Sequence, residues 1–146
     1  MTSRNQISGP ILMEIPSDPS ALFLVRCLME RLSQRLCFSE EDVARMTLAL
    51  DEACTNVIRH AYGERADQRI VLRFLALHDR LEIQVRDFGV SPDLNALSPR
   101  DLGEIRPGGL GLHFIRGAMD EVHYEIPEGG GCVLRLVKFR KMGDAG

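Results

Sequence analysis

The sequence predicts an α+β domain: a two-layer α/β sandwich in which helices cover one face of a mixed, largely antiparallel sheet. Three observations carry this prediction. The chain has 146 residues, which fits one domain with one hydrophobic core. Segments with strand patterning and helical periodicity follow in the order β-α-α-β-β-α-β-β. Short polar connections join two of the strand pairs, which favours hairpins and places the helices on one side of the sheet.

The amino-terminal region predicts a tail followed by one strand. Residues 1–9 lack a repeating apolar pattern, and we expect a flexible tail there, with the folded domain at 10–141. Residues 11–15 have the composition of a short strand, and Pro16 ends it because proline has no backbone N–H to donate.

Two amphipathic helices come next. Ser17 or Asp18 can cap the first helix, which runs to about residue 37. Ser39 begins the second helix, which ends near Gly63, and acidic residues fill its first turn. The apolar stripe of the second helix consists of Val43, Met46, Leu50, Cys54, Val57 and Ala61.

The second half of the chain predicts two hairpins separated by a long connection and a helix. The elements are strands at 68–77 and 80–87, a connection at 89–109, a helix at 110–118, and strands at 122–126 and 132–139. A connection of about twenty residues in a small domain is typically a functional lid or a disordered segment. We interpret 89–109 as a lid, and a disordered segment is the alternative.

Composition excludes several classes of function. Hydrophobic residues make up 45% of the chain, which argues against disorder, and the net charge of −3 argues against direct nucleic-acid binding. No apolar segment has the length of a membrane span, so we expect a cytoplasmic protein without a membrane partner. The cysteines lack metal-ligand or CxxC spacing, which predicts buried free thiols. They are Cys27, Cys37, Cys54 and Cys132.

The second helix carries the first candidate functional pair. At 100° per residue from the buried Leu50, Glu52 falls about 160° away and Asn56 about 120° away. Such a polar face can simply be solvated. However, asparagine has no propensity reason to lie inside a helix, and its amide oxygen suits Mg²⁺. Glu52 would then polarise an attacking hydroxyl or water, while Asp51, nearer the flank, can pair with an arginine.

A second candidate is the carboxylate at the end of an apolar strand. Asp87 precedes Phe88 and Gly89, and such a carboxylate can accept a hydrogen bond from an exocyclic amine, as on adenine. Gly89 permits close approach of a ligand. The other protein-kinase motifs that accompany Asp-Phe-Gly are missing, so the tripeptide alone is also consistent with an ordinary turn.

The third candidate is the GGLGL segment at 108–112, which opens a helix. Backbone amides and the helix dipole there can hold a phosphate, although a flexible hinge has the same composition. The pattern is neither a P-loop nor a dinucleotide-binding fingerprint. Arg100 and Arg106 precede it and can reach a phosphate.

Together, ExxxN on a helix, DxG after a strand, a long connection and GGLGL opening a helix resemble the Bergerat-fold, histidine-kinase-like ATPases. The longer series IPSDP, FSEEDV, LALDEACTNVIRHAYG and GGLGLHFIRGAMDEV, with a glycine-rich last hairpin, resembles the anti-sigma-factor serine-protein kinases of bacterial partner-switching systems. The resemblance covers roughly residues 10–140.

This resemblance implies ATP and Mg²⁺ as cofactors and a role for each matching residue. Glu52 would be the general base of phosphoryl transfer, and Asn56 the Mg²⁺ ligand. Asp87 would bind the adenine amine, with Gly89 beside the base. The implied nucleotide-binding residues are Asn56, His60, Ala61, Asp87, Gly89, Arg106, Gly108, Gly109, Leu110, Gly111, Leu112 and Cys132.

The resemblance also implies partners. The substrate would be a serine on a STAS-domain anti-anti-sigma protein, and a kinase homodimer would bind a sigma factor or another regulatory protein. Three features of the sequence depart from the family pattern. Ser91 replaces a second glycine, Cys132 replaces a threonine that helps hold a water against adenine, and the 89–109 connection contains no lysine.

Three other interpretations remain open. The domain can bind nucleotide as a partner switch without kinase activity, which the departure at Cys132 favours. It can be the ATP-binding part of a histidine kinase, although the first helix contains no histidine. It can also be a structural α/β domain that binds no nucleotide.

Overall fold

The structure, a computed structural model, describes residues 7–90 and 110–141. Its elements are β1 (Ile11–Pro16), α1 (Leu22–Arg35), α2 (Glu40–Asn56), β2 (Arg69–Ala76), β3 (Arg80–Asp87), α3 (Leu110–Ala118), β4 (Glu121–Glu125) and β5 (Cys132–Phe139). The predicted order of strands and helices is confirmed. Most of the predicted tail and of the predicted lid lies outside the described residues.

The five strands form one sheet in the order β1-β2-β3-β5-β4. We predicted a mixed, largely antiparallel sheet, and the four pairings in the described part of the chain are all antiparallel. Both predicted hairpins are present. In the first, the Leu77 amide donates to the Arg80 carbonyl at 2.8 Å, which closes the connection between β2 and β3.

The helices pack their apolar stripes on one face of the sheet. Met46 and Leu50 of α2 and Phe74 of β2 are completely buried in a shared core. Full burial of a side chain of this size stabilises the fold by about 1.5–3 kcal/mol. In residues 7–90 and 110–141, no helix combines the length and the apolar character that crossing a membrane requires.

The helix starts follow the predicted capping, with one difference. Ser39 accepts a hydrogen bond from the Asp42 amide at 3.1 Å, which caps α2. Asp18 accepts from the Ser20 amide at 2.9 Å, but it caps a short 3-10 turn at Pro19–Ala21 that leads into α1. The α-helix itself therefore begins later than the sequence predicts.

The second predicted helix is not α-helical to its end. A π-helical turn at Val57–Ala61 directly continues α2. This turn contacts the backbone that follows β3. The Val90 amide donates to the Ala61 carbonyl at 3.3 Å, and a Cβ atom at Gly89 would overlap that same oxygen. The end of α2 and the end of β3 are therefore held together by backbone contact.

The cysteine prediction is correct for two residues and wrong for two. Cys54 and Cys132 are buried, whereas Cys27 and Cys37 are exposed. Cys27 lies on an exposed position of α1, and Cys37 follows the end of that helix with φ +65°. Burial, with a smaller contribution from Asp51, raises the pKa of the Cys54 thiol to about 12.

Replacing Gly89 with alanine should destabilise the fold. The added methyl group meets the Ala61 carbonyl, and overpacking of this kind costs about 1–3 kcal/mol. Gly129→Ala is the matched control, because nothing lies within 4 Å of a Cβ there. Urea denaturation of both variants measures the difference. Equal stability of Gly89→Ala and the wild type would contradict the packing described.

Thiol titration should separate the cysteines by burial. At pH 8 in the native state, Cys27 and Cys37 should react rapidly with a disulfide reagent, because both are exposed. Cys54 and Cys132 should react only after unfolding. A third rapidly reacting thiol in the native protein would contradict this burial pattern.

Candidate functional site

The polar face of α2 carries two half-buried side chains one helical turn apart, Glu52 and Asn56. The opposite face of the same turns is buried, with Ala53 at 2% exposure and Leu50 at 0%. The predicted division of α2 into a core face and a polar face is therefore confirmed. This division holds the two polar groups in place without placing either of them inside the core.

The two neighbouring carboxylates of α2 have different surroundings. Asp51 accepts a hydrogen bond from the Arg26 guanidinium at 2.7 Å, which confirms the pairing that its position suggested. The Glu52 side chain has no hydrogen bond or ion pair with any residue in 7–90 or 110–141. Of the two, Glu52 is therefore the carboxylate that is available to accept a proton.

Asp87 is the buried carboxylate of the site. It ends β3, is only 1% exposed, and its Oδ1 atom accepts a hydrogen bond from the Gly89 amide at 3.1 Å. Its direct partner in the β3–β5 pairing is Cys132. Gly131 has φ +74°, and a Cβ there would overlap the Asp87 carbonyl oxygen, so glycine is required for this approach.

A cavity of ≈ 10 Å³ lies where these elements meet, between α2, β3, β4 and β5. Its polar lining residues are Asn56, Asp87, Tyr124 and Cys132, and its apolar lining residues are Ala53, Val57, Val85 and Leu134. This volume is near the lower limit for holding one water molecule. Three residues that the sequence singled out from distant segments therefore share one cavity.

Two larger cavities in the described part of the chain lie elsewhere. They have volumes of ≈ 530 and ≈ 580 Å³ and flank α1, and none of the predicted site residues lines either of them. The smaller cavity at Asp87 is the better candidate site, because it combines a buried carboxylate, an amide, a thiol and an aromatic side chain with apolar walls.

The remaining predicted residues fall into three groups. His60 is half-buried and Ala61 is buried, both on the π-helical turn, and neither lines the cavity. Leu110 and Gly111 begin α3, and Leu112, at 7% exposure, packs inward from its first turn. Arg106, Gly108 and Gly109 lie outside the described residues.

Besides the apolar walls of the cavity, one polar side chain and one backbone feature of the site were not predicted from the sequence. Tyr124 lines the cavity from β4, directly opposite Leu134. The alternation of β4 could have identified it, since a residue paired with a buried position shares that face of the sheet. The sequence contains no pattern that predicts the π-helical turn, although turns of this kind often occur at functional sites.

Comparisons with known proteins identify the family of the chain. A family model described as the histidine kinase-like ATPase domain matches residues 15–138. A protein of Bacillus velezensis named serine-protein kinase RsbW is 32% identical over 138 residues, which covers 88% of this chain and 84% of the relative. The protein of the same name from Listeria monocytogenes is 34% identical over 132 residues, covering 85% and 84%.

A solved structure shares the fold. It contains the RsbU and RsbW domains of Rv1364c from Mycobacterium tuberculosis, with a TM-score of 0.63 and 14% identity. The similarity covers 90% of this chain but 32% of that one, so this chain spans about a third of the solved protein. The family match and the sequence relatives establish that the chain belongs to the histidine kinase-like ATPase domain family and, within it, to the group of the RsbW serine-protein kinases.

Proposed function

We propose that this chain is an ATP-dependent protein-serine kinase and anti-sigma regulatory factor. It would phosphorylate a serine of a STAS-domain anti-anti-sigma protein and sequester a sigma factor as a homodimer. The observation that carries the proposal is the cavity shared by Asn56, Asp87 and Cys132, with Glu52 one turn away on α2. The similarity to RsbW serine-protein kinases over most of the chain supports the same activity.

The residues around this cavity carry groups that recognise an adenine base, which would lie against the cavity and not inside it, because ≈ 10 Å³ holds about one water. Asp87 is a buried carboxylate at a cavity with apolar walls, so it can accept a hydrogen bond from the exocyclic amine while those walls contact the ring. Gly89 would lie beside the base, and His60 and Ala61 would border the nucleotide from the π-helical turn.

We place the nucleotide-binding domain at residues 10–141.

The side chains near Asn56 fit a magnesium ion that would take most of its ligands from water and from the phosphates of the nucleotide. Residues 7–90 and 110–141 contain no group of three or more His, Cys, Asp or Glu side chains that could hold a metal. Mg²⁺ commonly binds few protein ligands and keeps several waters, so one amide oxygen from Asn56 is a fitting contribution. When bound, Mg²⁺ would neutralise charge on the transferring phosphate.

The start of α3 would contact the phosphates. The buried Leu112 anchors the first turn of this helix, which fixes the direction of the backbone amides at its amino terminus. Such amides favour negative charge. We assign phosphate contacts to the amides of Leu110, Gly111 and Leu112, and extend the assignment to Arg106, Gly108 and Gly109 from the family pattern.

Glu52 would act as the general base. It is half-buried and has no partner among the described side chains, whereas Asp51 is already paired with Arg26. Glu52 would accept the proton of the substrate serine hydroxyl as the serine oxygen attacks the terminal phosphate of ATP. The bond from that phosphate to the bridging oxygen would break, and ADP would leave. Positioned acid–base groups of this kind contribute about 10²–10⁴-fold to rate.

A second candidate function is a nucleotide-dependent switch without catalysis. One observation favours it: the buried residue opposite Asp87 is Cys132, and a thiol is a weaker hydrogen-bond donor and acceptor than a hydroxyl. A weakly held nucleotide is compatible with regulation by binding alone. Phosphate transfer to a STAS-domain protein distinguishes the two functions.

Glu52→Gln should greatly slow phosphate transfer while preserving ATP binding. We expect labelled-phosphate transfer to a STAS-domain substrate to fall about 10²–10⁴-fold, because the amide cannot accept the serine proton. Asp51→Asn is the matched control, since its carboxylate is paired with Arg26 and should lose far less activity. Isothermal titration with Mg-ATP verifies binding in both variants.

The possible outcomes separate the hypotheses. Transfer by Glu52→Gln at the wild-type rate would disprove its role as the base. Wild-type protein that binds ATP but phosphorylates none of the STAS-domain proteins tested would favour the switch function. Wild-type protein that does not bind Mg-ATP would contradict both functions.

Cys132→Thr should tighten ATP binding. A hydroxyl next to Asp87 can order a water against adenine better than a thiol, and one such hydrogen bond is worth about 1 kcal/mol, or roughly fivefold in Kd. Cys132→Val is the matched control, because valine has the shape of threonine without the hydroxyl. Titration calorimetry measures both, and equal Kd values for the two variants would contradict the expectation.

A further inference from the structure

Tyr62 connects three parts of the chain through one hydroxyl group. It follows the π-helical turn directly and is 6% exposed. Its hydroxyl donates a hydrogen bond to the Arg69 carbonyl at the start of β2. The same oxygen accepts a hydrogen bond from the Phe88 amide at 2.8 Å.

The Phe88 N–H that Tyr62 binds belongs to the peptide bond between Asp87 and Phe88. Fixing the Phe88 N–H fixes the orientation of that peptide plane, because the peptide bond is planar. Asp87 has two further contacts. Its Oδ1 atom accepts a hydrogen bond from the Gly89 amide at 3.1 Å. Its carbonyl oxygen lies against Gly131. The Tyr62 hydroxyl is the one side-chain contact among the described residues that holds the Phe88 amide.

The side chain of Phe88 is also anchored. The guanidinium carbons of Arg69 and Arg86 lie 4.2 and 4.6 Å from the centre of its ring. Contacts of this type attract a cation to the ring face. The ring therefore remains among the arginines while the preceding residue, Asp87, lines the cavity.

The protonation of Tyr62 is compatible with this role. Burial raises the pKa of the tyrosine above its ordinary value, and the nearby Asp87 acts in the same direction, while the Phe88 amide and the two arginines oppose it. A hydroxyl that stays protonated through the neutral range keeps its donor on the Arg69 carbonyl. Its lone pair then remains available for the Phe88 amide.

We infer that Tyr62 is a positioning residue for base recognition, which orients the Asp87 carboxylate toward the amine of adenine. The inference rests on the proposed function of Asp87. Adenine carries an amine donor where guanine carries a carbonyl oxygen, so a correctly oriented carboxylate favours ATP over GTP. Loss of the Tyr62 hydroxyl should reduce this discrimination.

The test is Tyr62→Phe, which keeps the buried ring and removes only the hydroxyl. We expect the ATP Kd to rise about tenfold, because the Asp87 carboxylate is no longer held toward the adenine amine when nucleotide binds. The GTP Kd should change by less than about twofold, because guanine gains nothing from the oriented carboxylate. In the kinase assay, KM for ATP should rise while kcat at saturating ATP stays near the wild-type value.

Ser33→Ala is the matched control for a purely structural effect. Ser33 is completely buried in α1, and its hydroxyl donates to the Met29 carbonyl at 2.6 Å. This variant should lower the melting temperature without changing the ratio of ATP to GTP affinity. A Tyr62→Phe variant with the wild-type ratio, whatever its melting temperature, would overturn the inference.

Amide hydrogen exchange gives a second readout that does not require nucleotide. Faster exchange of the Phe88 amide in Tyr62→Phe supports the hydrogen bond, and unchanged exchange overturns the inference. Wild-type protein that binds neither ATP nor GTP would disprove the proposed function, and the inferred role in base recognition would fall with it. Wild-type ATP binding with an unchanged ratio in Tyr62→Phe would overturn the role of Tyr62 alone.

Discussion

The close approach of Gly89 to the Ala61 carbonyl is the contact on which the rest of the site depends. It joins the end of the α2 segment to the end of β3, so that Asn56 and Asp87 line the same cavity. Gly131 allows β5 to approach the same turn from the other side. Three backbone segments meet there because neither glycine carries a Cβ atom. The side chains around the cavity are positioned by this backbone packing.

Helix α2 has one face that stabilises the fold and another face that carries the candidate functional groups. Its core face, with Met46 and Leu50 fully buried, attaches the helix to the sheet. Its polar face keeps Glu52 without a partner among the described residues, while the adjacent Asp51 is held by Arg26. Two neighbouring carboxylates therefore have different tasks. One stabilises the contact between α1 and α2, and the other remains available to accept a proton.

Local patterns were sufficient to predict most of the fold and part of the site. Hydrophobic periodicity located the helices and strands, and helical spacing placed Glu52 and Asn56 on one polar face. The π-helical turn was missed because a shift in the hydrogen-bond ladder changes no residue pattern. The partners of Tyr62 were also missed, because they depend on long-range packing. Catalytic and nucleotide-binding roles remain predictions, and Arg106, Gly108 and Gly109 lie outside the described residues.

The pairing of Asp87 with Cys132 has a consequence for the order of folding. The two residues are neighbours across β3 and β5, but α3 and β4 lie between them in the sequence. Pairings that close such long loops form late, because the entropy of loop closure must be overcome first. The hairpins β2–β3 and β4–β5 can form locally, yet neither one creates the cavity. Only a chain with its sheet complete brings both halves of the cavity together, so a ligand bound there would stabilise the finished sheet and not its intermediates.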